Sequence, residues 1–128
     1  MPITPSLLLT IAAGGAVGAV ARFLLSSCCS RWLTLSTFPL GTLVVNVLGS
    51  FAIGCLYSAL AQRVDDDDFW RPLLMTGFLG AFTTFSTFSI ETVQLLQRGE
   101  TAMALSYMLL SVLLCVAFAW LGLQLVGS

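Results

Sequence analysis

Four long apolar runs decide the solvent in which this chain folds. They cover about 6–26, 41–62, 70–96 and 101–126, and an α-helix needs about 20 apolar residues to cross the hydrocarbon of a bilayer. The turns between them are short, so residues 1–128 read as one all-α integral membrane domain of four transmembrane helices. Charged residues make up 9% of the chain and hydrophobic ones 58%, whereas a soluble domain averages about 25% charged. Five arginines and six acidic residues cannot clothe a water-facing surface of this size, so membrane lipid is the solvent for most of it. A net charge of −1 gives no basic footprint for nucleic acid.

Several functional classes fall away at once. The chain has no His, no visible pairing of nucleophile and base, and no cofactor motif, so an enzyme is not expected. Cys28, Cys29, Cys55 and Cys115 form no Cys-x-x-Cys pair, and without His they make no zinc-type set. They read as small apolar residues in or near a membrane. The first run lacks the basic start of a cleaved signal peptide, its nearby charge Arg22 lying at the far end, and reads as a retained helix.

The polar residues inside the apolar runs carry the information. In the first run Gly14 and Gly18 form a G-x-x-x-G, a spacing that lets helices approach closely. Arg22 ends that run, either snorkelling to the interface or attracting anions at a pore mouth. Arg31 and Trp32 make an interfacial pair in a loop from Cys28 to Pro39. Asn46 sits within the second run, and a carboxamide in hydrocarbon must face protein or water. It is either glue between helices or part of a polar path. The run Asp65 to Asp68 lacks the spaced ligands and glycine of an EF-hand loop and reads as a solvated turn. Trp70 and Arg71 anchor the third helix at the interface.

The third run is the most unusual. Between Gly77 and Ser89 it carries Gly80, the hydroxyls of Thr83, Thr84, Ser86, Thr87 and Ser89, and Phe82, Phe85 and Phe88 at every third position. Glu91 follows, as a helix-end anchor, a partner for an arginine, or a coupling residue. A lipid-facing helix has no use for so many polar groups. The segment is either a long tilted helix or one broken at the midplane, where exposed backbone is tolerated only if protein buries it or a cavity wets it. Broken helices of this kind recur as ion sites in transporters. In the fourth run Tyr107, Ser111 and Cys115 fall at i, i+4 and i+8, hence on one face.

Four helices place both termini on one side together with Arg63 and Arg71, against Arg22, Arg31 and Arg98 on the other. Three against two barely selects an orientation. So weak a bias leaves room for insertion both ways and for pairing as an antiparallel dimer, which would make an inverted repeat from two copies.

Together, Gly41-Thr-Leu-Val-Val-Asn46, the stretch from Thr76 to Glu91, and Gly15-x-x-Gly18 followed by Arg22 resemble the Fluc (CrcB) fluoride channels over essentially the whole chain. The resemblance implies an antiparallel, dual-topology homodimer in a bacterial inner membrane that passively exports fluoride. It implies a third helix broken at its centre, with a structural sodium ion held at the dimer interface by the backbone carbonyls of Gly80 and Thr83. It assigns the fluoride pathway to Asn46, Phe85, Ser86, Thr87, Phe88, Tyr107 and Ser111, with Arg22 at the vestibule. Two positions depart from the pattern. Cys115 stands where relatives often place serine, and Ala81 where a glycine is common.

The chemistry is consistent with that implication. Fluoride is strongly hydrated and needs close donors, which the hydroxyls and the Asn46 amide supply. Phenylalanine has a positive edge, so Phe85 and Phe88 presented edge-on contact an anion without trapping it, and conduction requires easy entry and easy exit. The alternative is a small proton-coupled multidrug exporter, but its chemistry wants a carboxylate in the first helix, and none is present. A third reading, a non-transporting assembly subunit, predicts polar groups that only join helices.

Overall fold

A computed structural model describes residues 2–32, 37–63 and 67–128, with the side chains of Trp32 and Asp67 also outside the description. The elements are α1 (Pro5–Trp32), α2 (Leu40–Ala61), a short α3 (Asp67–Trp70) running into a π-helical segment (Arg71–Leu79), α4 (Gly80–Phe82), α5 (Phe85–Gln97) and α6 (Thr101–Gly127). Among the described residues four helical stretches are long and apolar enough to cross a membrane: Pro5–Arg31, Leu40–Ala61, Asp68–Gln97 and Thr101–Gly127. They match the four apolar runs. Of the aspartate turn, Asp65 and Asp66 lie outside the described residues.

The first helix runs further than expected. Cys28 to Trp32 belong to α1 rather than to a loop. No Gly or Pro interrupts the chain between Gly18 and Pro39, and Ser26 returns its hydroxyl to the Phe23 carbonyl at 3.3 Å instead of ending the helix. Only 33–36 of the expected loop lie outside the described residues.

The surface is that of a protein dissolved in hydrocarbon. Leu9, Phe23, Leu113 and Trp120 all stand more than half exposed. Inside, one cluster joins Leu43, Leu95, Ala104 and Tyr107, and a second joins Val45, Leu79 and Phe82. The most extensive helix pair is α2 against α6, followed by α1 against the π-helical segment. Close approach in the second pair depends on the G-x-x-x-G. A Cβ on Gly14 would fall on the Leu73 carbonyl, and one on Gly18 on the Phe78 carbonyl. The partner backbone at this contact is wound wide, with the Gly80 N–H reaching back five residues to Met75 as well as to Gly77. Such i→i+5 turns cluster at functional sites.

Regular helix stops at Phe82. Thr83 (φ −83°, ψ 155°) and Thr84 (φ −148°, ψ 118°) are extended, and helix resumes at Phe85. The Thr84 hydroxyl accepts from the Thr87 N–H at 3.2 Å and so caps α5.

The Gly18 contact is directly testable. Gly18→Leu is expected to lower the melting temperature of the protein in detergent, because overpacking against backbone costs about 1–3 kcal/mol or more. Ala16→Leu, on the exposed side of the same helix, is expected to leave it unchanged.

Candidate functional site

Two consecutive extended residues inside a membrane span expose backbone groups that hydrocarbon cannot satisfy. Three side chains hold the backbone at the interruption and just before it. Asn46 on α2 accepts from the Thr84 N–H at 2.8 Å and donates its amide to the Thr84 carbonyl at 3.1 Å. It pairs with Thr84 as a neighbouring strand would. Thr83 sends its own hydroxyl to the Leu79 carbonyl at 3.0 Å. Arg22 donates Nε to the Ala81 carbonyl at 3.1 Å, tying α1 to the end of α4.

Beside this interruption lies a cavity of about 460 Å³. Asn46, Gly80, Thr83, Phe85, Phe88 and Ser111 are all in its wall. Phe85 stands 78% exposed at its open side. Ser111 is 7% exposed, and its Oγ has no hydrogen-bond partner among the described residues. A buried hydroxyl left so costs about 1–3 kcal/mol, and it points to a ligand or water in the cavity.

Another cavity, of about 280 Å³, is lined by Thr42, Thr87 and Glu91 with Ser26, Cys29 and Ser30 from the end of α1. Glu91 is not at a helix end: it sits mid-way along α5. Its Oε1 accepts from the Thr42 hydroxyl at 2.6 Å and from the Tyr107 hydroxyl at 3.4 Å. Tyr107 is fully buried. Its ring lies 5.0 Å from that of Phe88 and 5.5 Å from that of Phe38, and Phe88 lies 5.4 Å from Phe85. Aromatic rings thus run in series from the larger cavity to the carboxylate of the smaller one.

Of the residues singled out in the sequence, Asn46, Gly80, Thr83, Phe85, Phe88 and Ser111 meet at the larger cavity. Thr87 belongs to the smaller one. Tyr107 connects the two through Phe88 and Glu91. Ser86 is exposed, with its hydroxyl 3.4 Å from that of Thr84. Arg22 reaches the helix end at Ala81. Sequence reasoning did not single out Thr42, the shortest contact to Glu91. A signal existed, since Thr42 precedes Asn46 by four residues and shares its face of α2. In the sequence Thr84 is one hydroxyl among five, and no pattern marks it as the one whose backbone opens.

Comparison with known proteins places the chain in a family. A family profile described as CrcB-like protein, Camphor Resistance (CrcB), matches residues 9–123. The chain belongs to this family. Among CrcB relatives, a protein of Magnetococcus marinus named fluoride-specific ion channel FluC is 54% identical over 113 residues, covering 88% of this chain and 91% of the relative. One of Shewanella amazonensis with the same name is 50% identical over 120 residues, covering 94% and 95%. A third, from Methylococcus capsulatus, is 48% identical over 115 residues, covering 90% of this chain but 50% of the relative. As a CrcB protein with four membrane-spanning helices, the chain is an integral membrane protein.

The Asn46 pairing predicts a graded loss. Asn46→Leu leaves the Thr84 N–H and carbonyl both unpaired, at about 1–3 kcal/mol for each group, and a clear fall in melting temperature is expected. Asn46→Asp keeps an acceptor for the N–H but loses the amide donor, and is expected to fall between Leu and wild type in the same measurement.

Proposed function

We propose that this protein is a passive, fluoride-selective channel of a bacterial inner membrane, lowering cytoplasmic fluoride. It is a channel and not an enzyme. The observation that carries this reading is the buried, unpartnered Ser111 hydroxyl, set in a cavity wall shared with Phe85, Phe88 and Asn46. The wall is mostly apolar with a few placed donors, which suits a small anion that must shed water without being held. The names of the relatives point to the same ion.

In this reading fluoride enters the larger cavity and exchanges water for the Ser111 hydroxyl and the second N–H of the Asn46 amide. It passes the positive edges of Phe85 and Phe88 and reaches the hydroxyls at the start of α5. Ser86 and Thr87 there serve as the next donors, and Thr87 opens on the smaller cavity. Tyr107 packs on Phe88 and donates to Glu91, which draws that carboxylate oxygen away from the passing anion. Arg22 contributes positive charge near the vestibule while its Nε steadies the end of α4.

The active form is an antiparallel homodimer, with the third span broken at the bilayer midplane at Thr83 and Thr84. Two features support pairing. The larger cavity is open on one flank, where Phe85 is 78% exposed, and the arginines are nearly balanced between the two sides. The Methylococcus relative, half covered by this chain, has room for a second unit of this size in one polypeptide. A sodium ion fits the segment at the dimer axis. The helix ends at Phe82, so carbonyl oxygens of its last turn lack i+4 helical donors, and hard cations take oxygen ligands. Gly80 and Thr83 would hold it, and it would supply a fixed positive charge that joins the two subunits.

Proteoliposomes loaded with fluoride or chloride test the channel directly. Fluoride is expected to leave quickly and chloride to be retained; equal leakage of both, or of neither, removes the reading. Phe85→Ile is expected to slow fluoride efflux about tenfold, the kinetic equivalent of ~1.4 kcal/mol, with the dimer intact by size-exclusion chromatography. Replacing sodium by choline is expected to lower the melting temperature of the dimer in detergent.

A further inference from the structure

The larger cavity is lined by a thiol to which the path just described gives no task. Cys115 follows Ser111 by one turn of α6, and both line the cavity. Its thiol is free and half-buried. The other three thiols are placed differently. Cys28 is exposed near the end of α1, Cys29 faces the smaller cavity, and Cys55 lies against the backbone of Gly122 at the contact of α2 with α6. The independent sign that something occupies the space beside Cys115 is the Ser111 hydroxyl, 7% exposed and without a partner among the described residues.

We propose that Cys115 is a covalent modification site on the ion path, and that capping its thiol with a small disulfide or thiosulfonate suppresses fluoride passage. This rests on the cavity being the path. In the capping step the Cys115 sulfur, as thiolate, attacks the divalent sulfur of the reagent, having lost its proton to water. A new S–S bond forms, and the old bond breaks with its electron pair leaving on the departing sulfinate or thiolate. An S–H is a weak donor and weak acceptor, whereas a capped sulfur has no hydrogen to donate. The cap also places an apolar group one turn from Ser111, inside a space of about 460 Å³ that the anion has to share. A serine at this position offers no such handle, so the sensitivity belongs to chains that carry cysteine here.

The test uses methyl methanethiosulfonate on proteoliposomes of three proteins. These are the wild type, a Cys28→Ser/Cys29→Ser/Cys55→Ser variant that keeps Cys115 alone, and that same variant with Cys115→Ser added. Fluoride efflux is read before and after reagent, each protein against its own untreated rate, and capping of Cys115 is read by peptide mass. In the first two proteins, capping is expected to slow efflux about tenfold or more, the scale of losing one hydrogen bond to a charged group. Dithiothreitol is expected to restore it, and the variant with Cys115→Ser added is expected not to respond. Full efflux with Cys115 capped, failure of Cys115 to become capped, or an equal response with Cys115→Ser added each overturns the inference while leaving the channel intact. Absence of fluoride efflux before any reagent overturns the channel reading and this inference together.

Discussion

The site depends on the pairing of Asn46 with the backbone of Thr84. The Thr83 N–H still reaches the Leu79 carbonyl at 3.0 Å, but the Thr84 N–H and carbonyl need a partner that lipid cannot supply. Asn46 answers one donor and one acceptor at 2.8 and 3.1 Å, so the interruption is held by the neighbouring helix rather than by solvent. Other features follow from that anchor. Thr84 is fixed in an extended conformation, its hydroxyl is free to cap α5, and the first turn of α5 then carries Phe85 and Phe88 into the cavity wall. Arg22 does similar work on the preceding side, where α4 ends.

Small residues set the distances over which these contacts operate. The Gly14 and Gly18 face of α1 lets the π-helical segment lie backbone to backbone against it, which brings Arg22 within reach of Ala81. On α2, Gly49 leaves space for the Thr83 methyl and the Phe82 ring. Packing among lipids draws little on the hydrophobic effect, so close approach and hydrogen bonds carry the specificity. The cluster of Thr42, Tyr107 and Glu91 joins three helices through a single carboxylate oxygen.

Much of this was legible in the sequence, for reasons that differ by element. The four spans follow from length and apolarity alone. The close contact of α1 follows from glycine spacing, and Tyr107 and Ser111 follow from helical periodicity. The end of α1 was not legible, because Ser-Ser-Cys-Cys-Ser looks like a loop to composition, yet nothing in it breaks a helix. The π-helical winding from Arg71 to Leu79 has no pattern of its own; it arises where this segment meets the backbone of α1. Asn46 was recognisable as important while its partner was not, since a carboxamide can pair with a backbone anywhere along a neighbouring span. The setting of Glu91 is hidden in the sequence because its two donors, Thr42 and Tyr107, come from other helices.

The interruption at Thr83 and Thr84 also sets two helix termini of opposite polarity face to face. The helical run that closes at Phe82 presents the negative end of its peptide dipoles, and the run that opens at Phe85 presents a positive end, only two residues apart. The Arg22 guanidinium meets the negative end at the Ala81 carbonyl, and the positive end at Phe85 opens beside the larger cavity, where it favours an anion. A span built in this way offers fields of both signs largely from its own backbone, and so stays compatible with the lipid around it.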